Sequence, residues 1–433
     1  MKDEENGRTP PMQDRELSRE ELLRERARLT ERYEKYCGEG LKLDLSRGKP
    51  ATDQLDLSND LLNIPLTPAD CLIDGVDCRN YGSPWGLPAM RAFWSDLLGI
   101  PAEQIIVGGN SSLALMYGTI TRALLFGFAD SLTPWSRESG RKWLCPAPGY
   151  DRHFAITEKL GFELIAVDMT DTGPDMDQVE RLALDPAVKG IWCVPKYSNP
   201  TGITYSDETC RRLASMKTGA PDFTVMWDNA YAVHDLVEPG DKLANIFDLA
   251  REAGTENRFF CFSSTSKITF PGGGVAMMAA SPANVEKVKS SMAIETIGYD
   301  KLNQLRHLHF LSDPEGVAKQ MKRHAALLAG KFKLLEETLT SDLGGLGIAD
   351  WTHPKGGYFV SLTLPDGCAK RTYELARQAG VVLTPAGATF PYKTDPRDRN
   401  LRLAPTCCSI GDLKVAASVL TLAVRLAVLE KLL

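Results

Sequence analysis

The stretch Phe259-Phe260-Cys261-Phe262-Ser263-Ser264-Thr265-Ser266-Lys267 decides how the rest of the chain reads. Four apolar residues without polar alternation predict a strand covered on both faces, as inside a parallel sheet. A hydroxyl cluster follows, then one lysine, then the flexible run Pro271-Gly272-Gly273-Gly274. Open α/β sheets gather ligands at the carboxyl ends of their strands, which is where Lys267 stands. Partial desolvation there would favour the neutral amine, and so a nucleophile. By itself a loop lysine is more often simply solvated. The company it keeps along the chain decides between the two.

Outward from this strand, the same kind of segment recurs. Ile105–Val107, Trp143–Cys145, Leu164–Val167, Ile191–Val194, Phe223–Trp227 and Val275–Ala280 are short and apolar, and helical or polar segments separate them. With Phe259–Phe262 they predict a mostly parallel seven-stranded sheet wrapped by helices, an α/β fold. After about residue 300 the pattern changes. A long helix over Asp313–Thr340 leads into a strand–helix–strand group and a closing apolar helix, Ile410–Leu433. We expect a large domain over 61–299 and a smaller α+β domain over 300–433. An N-terminal arm, 16–60, packs with the small domain, and residues 1–15 are polar and mobile. Within the arm, Ser18 and Glu21 form a capping-box pattern opening a helix over Arg19–Cys37, and Leu41–Ser46 alternates like an exposed strand.

Composition narrows the functional classes. With 433 residues, 43% apolar and 24% charged, the chain has the makeup of an ordinary globular protein. A formal net charge of −6 gives no electrostatic reason to bind nucleic acid or an anionic membrane. No apolar run reaches the roughly 18 residues that span a bilayer. The acidic start Met1-Lys2-Asp3-Glu4-Glu5 lacks the apolar core of a signal peptide. Ten cysteines show no metal-ligand spacing, and several, such as Cys193 and Cys261, fall inside apolar strands. The expectation is a cytoplasmic protein with reduced thiols and no metal site.

Three strand ends carry polar groups that make sense together. Ser198-Asn199-Pro200-Thr201-Gly202, Asp228-Asn229-Ala230-Tyr231 and Ser264-Thr265-Ser266-Lys267 each follow an apolar strand. In a parallel sheet these ends share one edge, so Asn199, Asp228, Tyr231 and Lys267 converge there. At the same edge Gly109-Asn110-Ser111-Ser112 opens a helix, an anion site of backbone N–H groups and hydroxyls. Each residue also has a plainer reading: Asp228 and Ser112 as helix caps, Tyr231 and Tyr150 as packing aromatics, an arginine such as Arg402 as a solvated surface residue. An anion site, a carboxylate, a phenol, an amide and a nucleophilic lysine together suit pyridoxal 5'-phosphate.

In this order the motifs resemble the fold-type I pyridoxal-phosphate aminotransferases, class I/II, over nearly the whole chain. The matched positions are Gly48-x-Pro50, Tyr81, Gly109-Asn110-Ser111-Ser112, Pro148-x-Tyr150, Ser198-Asn199-Pro200-Thr201-Gly202, Asp228-x-x-Tyr231, Ser264-x-x-Lys267 and Asn400-Leu401-Arg402. Ser46-Arg47-Gly48-Lys49-Pro50 and the residues around Asn199, Asp228 and Lys267 are similar to a bacterial aspartate aminotransferase subgroup. The resemblance implies that Lys267 holds the cofactor as a Schiff base and shuttles a proton. Asp228 would pair with the pyridine nitrogen, and Tyr231 and Asn199 would bond the ring's phenolic oxygen. Tyr150 would stack on the ring. Ser111, Ser112 and Ser264 would hold the phosphate, joined by Tyr81 from a second subunit. Arg402 would clamp the substrate α-carboxylate, with Gly48 beside it.

One position departs from the family pattern: the arginine usually found eight residues after the lysine is replaced by Val275. The phosphate contacts then fall to the helix N-terminus, the hydroxyls and the glycine run. The implied activity is transfer of an amino group between L-aspartate or L-glutamate and a 2-oxo acid such as 2-oxoglutarate or oxaloacetate, by ping-pong half-reactions in a homodimer with shared sites. Arg47, Lys301 from the partner, and Asn110 are the candidates for reading a distal carboxylate. The alternatives are a β-lyase or decarboxylase built on the same residues, or a cofactor-binding regulator without turnover. The regulator reading needs a DNA-binding module ahead of the fold, and only one helix precedes Leu41.

Overall fold

The computed structural model describes residues 18–433. The mobile segment expected over 1–15 lies outside them. In spatial order the large sheet runs Ile105–Val107, Ala276–Ala280, Phe259–Ser264, Thr224–Asp228, Val188–Cys193, Lys142–Ala147, Glu163–Thr170 and Gly173–Pro174. That is eight strands, not seven. The extra one is a two-residue edge strand, Gly173–Pro174, too short to leave an apolar run in the sequence. The four central pairings, from Phe259–Ser264 across to Glu163–Thr170, are parallel. The three outer pairings are antiparallel.

The unbroken apolar runs are explained by cover on both faces. Phe259, Cys261, Val225, Trp227, Ile191 and Cys193 point into one core, and Phe260, Phe262, Met226, Trp192, Trp143 and Cys145 into another. Side chains alternate across a strand with period two, so a doubly covered strand must be apolar at every position. Phe262 lies opposite Asp228 in register, which brings the ends of these two strands level. Asn229 N–H donates to the Phe262 carbonyl at 2.8 Å just past that point.

The second unit is built on a three-stranded antiparallel sheet, Asp350–Trp351, Val360–Thr363 and Asn400–Leu403, with Val360–Thr363 in the middle. Its core takes Leu22, Leu29 and Tyr33 from the helix Arg19–Gly38, which the predicted capping box does open: Ser18 N–H donates to Glu21 Oε2 at 2.8 Å. The strand expected over Leu41–Ser46 shrinks to Leu43–Asp44, paired in parallel with Val381–Val382. Leu45 N–H donates to the Val382 carbonyl at 2.8 Å, and Ala404 N–H to the Leu45 carbonyl at 3.0 Å. These bonds carry the following residues, Ser46 to Lys49, to the mouth of a cavity shared with Arg402.

The change of unit does not fall at residue 300. Leu305 and Leu311 of the helix Lys301–Leu311 pack in the large core, as do Val317 and Met321 at the start of the helix Pro314–Leu343. Leu335, Leu339 and Leu343, later in that same helix, pack in the small one. A continuous helix carries no turn signal where it passes from one core to the other, so its sequence gives no mark of the passage.

Candidate active site

A cavity of about 360 Å³ opens between the strand ends and the small unit. Lys267, Asp228, Tyr231, Asn199, Tyr150 and Arg402 all line it, as do Gly48 and Arg47. Asn199, Asp228, Tyr231 and Lys267, which the strand pattern places at one sheet edge, thus lie around one cavity.

Lys267 closes a single 3₁₀ turn, Thr265–Lys267, directly after its strand. That turn is fixed to the next strand by Thr265 N–H donating to the Val275 carbonyl and Val275 N–H donating to Thr265 Oγ1, both at 2.9 Å. Lys267 has no ion-pair partner among the described residues, and its Nζ sits 4.8 Å from the centre of the Tyr231 ring. Burial pushes its pKa below the usual lysine value, and the Asp228 carboxylate pulls the other way. The burial effect is the larger, so the neutral amine a nucleophile requires is within reach.

Asp228 ends its strand almost fully buried. Its Oδ2 accepts from His153 Nε2 at 3.0 Å, while its Oδ1 is buried with no partner. A buried carboxylate oxygen without a donor is costly, and a protonated ring nitrogen is a donor of the right kind. Burial drives the Tyr231 phenol well above its ordinary value, with Tyr150 and Asp228 adding to the effect. Tyr150 is pushed up to about 12, mainly by burial and next by Asp228. Both phenols are therefore neutral hydrogen-bonding groups over the working range.

Arg402 is buried in the strand Asn400–Leu403, with its guanidinium 5.0 Å from the centre of the Phe359 ring. Its Nε donates to Thr384 Oγ1 at 3.3 Å, and its Nη1 donates to Asp151 Oδ1 at 2.9 Å and Asn199 Oδ1 at 3.2 Å. Gly48 lies against the same Phe359: a Cβ there would collide with the ring, so a larger residue would have to displace it.

Other predicted residues stand apart from this cavity. Ser111 caps the helix Ser112–Phe126, accepting from Ala114 N–H at 3.2 Å, and Ser112 is the first helical residue. Ser264 and Ser266 share a hydroxyl pair at 2.8 Å. Val275 is buried in the large core, so no cation occupies its position. Asn110 spends its amide on the carbonyls of Pro271 and Gly272, at 3.4 and 3.3 Å, and Asn303 holds those of Gly273 and Gly274 at 2.9 and 3.0 Å. Lys301 is buried, donating to its own chain's Gly82 carbonyl at 3.0 Å. Tyr81 is 81% exposed and does not line this cavity.

The sequence reading missed several residues. His153 stacks on Trp192 with centroids 4.3 Å apart and planes 9° from parallel, which aims its Nε2 at Asp228. Its spacing, three residues after Tyr150 in a helix's first turn, was the available signal. Asp151, Arg152 and Lys49 also line the cavity. His234 is buried with neither ring nitrogen bonded, edge-on to Tyr231 and Tyr358, and burial drives its pKa well down. Among the described residues there is no cluster of metal-ligating side chains, and no helix is long and apolar enough to cross a membrane.

The residues present fit pyridoxal 5'-phosphate: a lysine without an ion partner, an orphaned carboxylate oxygen, two neutral phenols, and hydroxyls near a helix N-terminus on one sheet edge. The model of the aspartate amino-transferase family matches residues 17–433. The chain is similar to a protein of Mycolicibacterium smegmatis named as an aminotransferase, at 50% identity over 96% of this chain and 98% of that one. It is similar to the aspartate aminotransferase of Corynebacterium glutamicum, at 47% identity over 92% of each chain. It also superposes on the crystal structure of an aspartate transaminase from Corynebacterium glutamicum with a TM-score of 0.95 and 44% identity, covering 98% of this chain and 100% of that one. The chain belongs to the aspartate aminotransferase family.

Proposed function

We propose that this family member is a pyridoxal-phosphate aminotransferase that moves the amino group of L-aspartate or L-glutamate to a 2-oxo acid. The observation that carries the proposal is Lys267, with no ion-pair partner among the described residues, sharing a cavity with an orphaned Asp228 oxygen and with Arg402. When bound, the cofactor supplies an aldehyde that takes up amines and a protonated ring that draws electrons from the bonds around substrate Cα.

The chain's own residues do the rest. Lys267 Nζ would hold the cofactor aldehyde and, as a free amine, would accept the proton from substrate Cα. Asp228 Oδ1 keeps the ring nitrogen protonated, and the bond from His153 holds that carboxylate in place. Tyr231, Asn199 and Tyr150 orient the ring. Ser111, Ser112, Ser264 and the backbone N–H groups at the start of the helix Ser112–Phe126 take the phosphate, since Val275 brings no charge. Arg402 binds the α-carboxylate against Phe359.

For the distal carboxylate, Arg47 at the cavity wall is supported by its place. Arg152 and Lys49 share that wall, whereas Lys301 and Asn110 are already bonded within their own chain. Tyr81, exposed on this chain, is consistent with a contribution to a partner's site in a homodimer.

The test is product analysis with L-aspartate and 2-oxoglutarate. Oxaloacetate and L-glutamate in equal amounts support the proposal. L-Alanine with carbon dioxide would indicate β-decarboxylation, pyruvate and ammonia released from L-cysteine together with sulfide would indicate β-elimination, and cofactor binding without turnover would indicate a regulator.

A further inference from the structure

Arg402 makes its ion pair with a carboxylate of its own chain. Its Nη1 lies 2.9 Å from Asp151 Oδ1, and no other carboxylate is within ion-pair distance of it among the described residues. The Arg402 side chain is 8% exposed and that of Asp151 33% exposed. Arg402 is further fixed by Thr384, Asn199 and the Phe359 ring. Asp151 is the first residue of the helix Asp151–Lys159, where the helix dipole favours a carboxylate whether or not a cation faces it. One partner is therefore anchored, and the other is free to turn toward solvent.

We propose that Asp151 is a resident carboxylate on Arg402 that the substrate's α-carboxylate must displace. The inference rests on the reading of Arg402 as the α-carboxylate clamp. Displacement trades one Arg402–carboxylate pair for another, so the number of ion pairs is conserved and Arg402 adds little net affinity. Its fork still imposes the orientation of the bound acid. Affinity is then left to the amino group, the distal group and the cofactor. Product leaves easily because Asp151 returns to Arg402 as the product's carboxylate departs. Asp151 is a positioning residue in this account, setting KM and release without touching the reacting atoms.

The experiment is calorimetric titration of the holoenzyme with maleate, a dicarboxylate that has no amino group to transfer, using wild type, Asp151→Asn, Arg402→Gln and the double variant. Asp151→Asn is expected to bind maleate about tenfold more tightly, the scale of one charge-assisted hydrogen bond. In the Arg402→Gln background the same substitution should change affinity less than about twofold, since a double-mutant cycle isolates the pair. With substrate, Asp151→Asn should lower KM more than it alters kcat. Asp151→Ser repeats the test with a shorter side chain. Unchanged or weaker maleate binding by Asp151→Asn overturns the inference and makes Asp151 an orienting partner of Arg402. Equal tightening in both backgrounds also overturns it, because only the general field would then be at work. Wild type that binds no maleate, with Arg402→Gln behaving identically, overturns the clamp itself and the inference with it.

Discussion

His153 Nε2 stands 3.0 Å from Asp228 Oδ2, while the second oxygen of that carboxylate is buried with nothing bonded to it. One oxygen is thus tethered and the other is left for a ligand. Replacing His153 by Phe keeps the stack on Trp192 and removes the tether. The expected loss is roughly tenfold to a hundredfold in kcat, the value of a buried bond to a charged group. Cofactor dissociation, followed by absorbance during dialysis, should accelerate in parallel. An unchanged kcat and an unchanged dissociation rate would mean that Asp228 is held without His153.

Lys267 makes the cofactor-free protein less stable than it would otherwise be. Its pKa is lower folded than unfolded, so the folded state binds fewer protons between the two values and stability rises with pH across that window. Below both values the penalty is fully present, and above the ordinary lysine value of 10.5 it is gone. Lys267→Met should therefore raise the melting temperature of cofactor-free protein at neutral pH by a few degrees. The gain should shrink as the pH approaches the ordinary lysine range. Melting curves of both proteins at several pH values give the answer.

Gly48→Ala should act through Phe359. The added methyl group displaces the ring that lies under the Arg402 guanidinium. Substrate and Asp151 exchange on Arg402, so KM for the amino acid is expected to move less than about threefold, whereas kcat should fall about tenfold, the effect of about 1.4 kcal/mol of lost orientation. The melting curve of the variant separates this from a general loss of folding.

Restoring the family's arginine should fail. Val275 is buried in the large core, and its N–H and carbonyl are both bonded to Thr265. Val275→Arg places a charge in that core and should cost several kcal/mol, seen as a lower urea midpoint. Tighter cofactor binding at unchanged stability would show that position 275 reaches the phosphate after all.

The residues legible in the sequence were those at ends of buried strands, where an apolar run stops at a polar group. Asn199, Asp228, Tyr231 and Lys267 were all read this way, and they share one cavity. Residues on helix first turns gave no comparable mark. His153 and Asp151 follow Tyr150 in a polar stretch that looks like any solvated helix start, and only the packing of Trp192 and Arg402 shows what they face. Lys301 failed as a free cation for a related reason. A lysine on a helix reads as exposed, whereas this one folds back on the Gly82 carbonyl. The handover between cores within Pro314–Leu343 was invisible because the helix itself is unbroken.

In the proposed function Lys267 is the residue that carries the cofactor. Reduction of the reconstituted protein with borohydride, followed by mass spectrometry of its peptides, tests this directly. One phosphopyridoxyl group per chain is expected, on the peptide containing Lys267, and none in Lys267→Met. A stable adduct on a different lysine, such as Lys196, or no adduct after reconstitution, would contradict it.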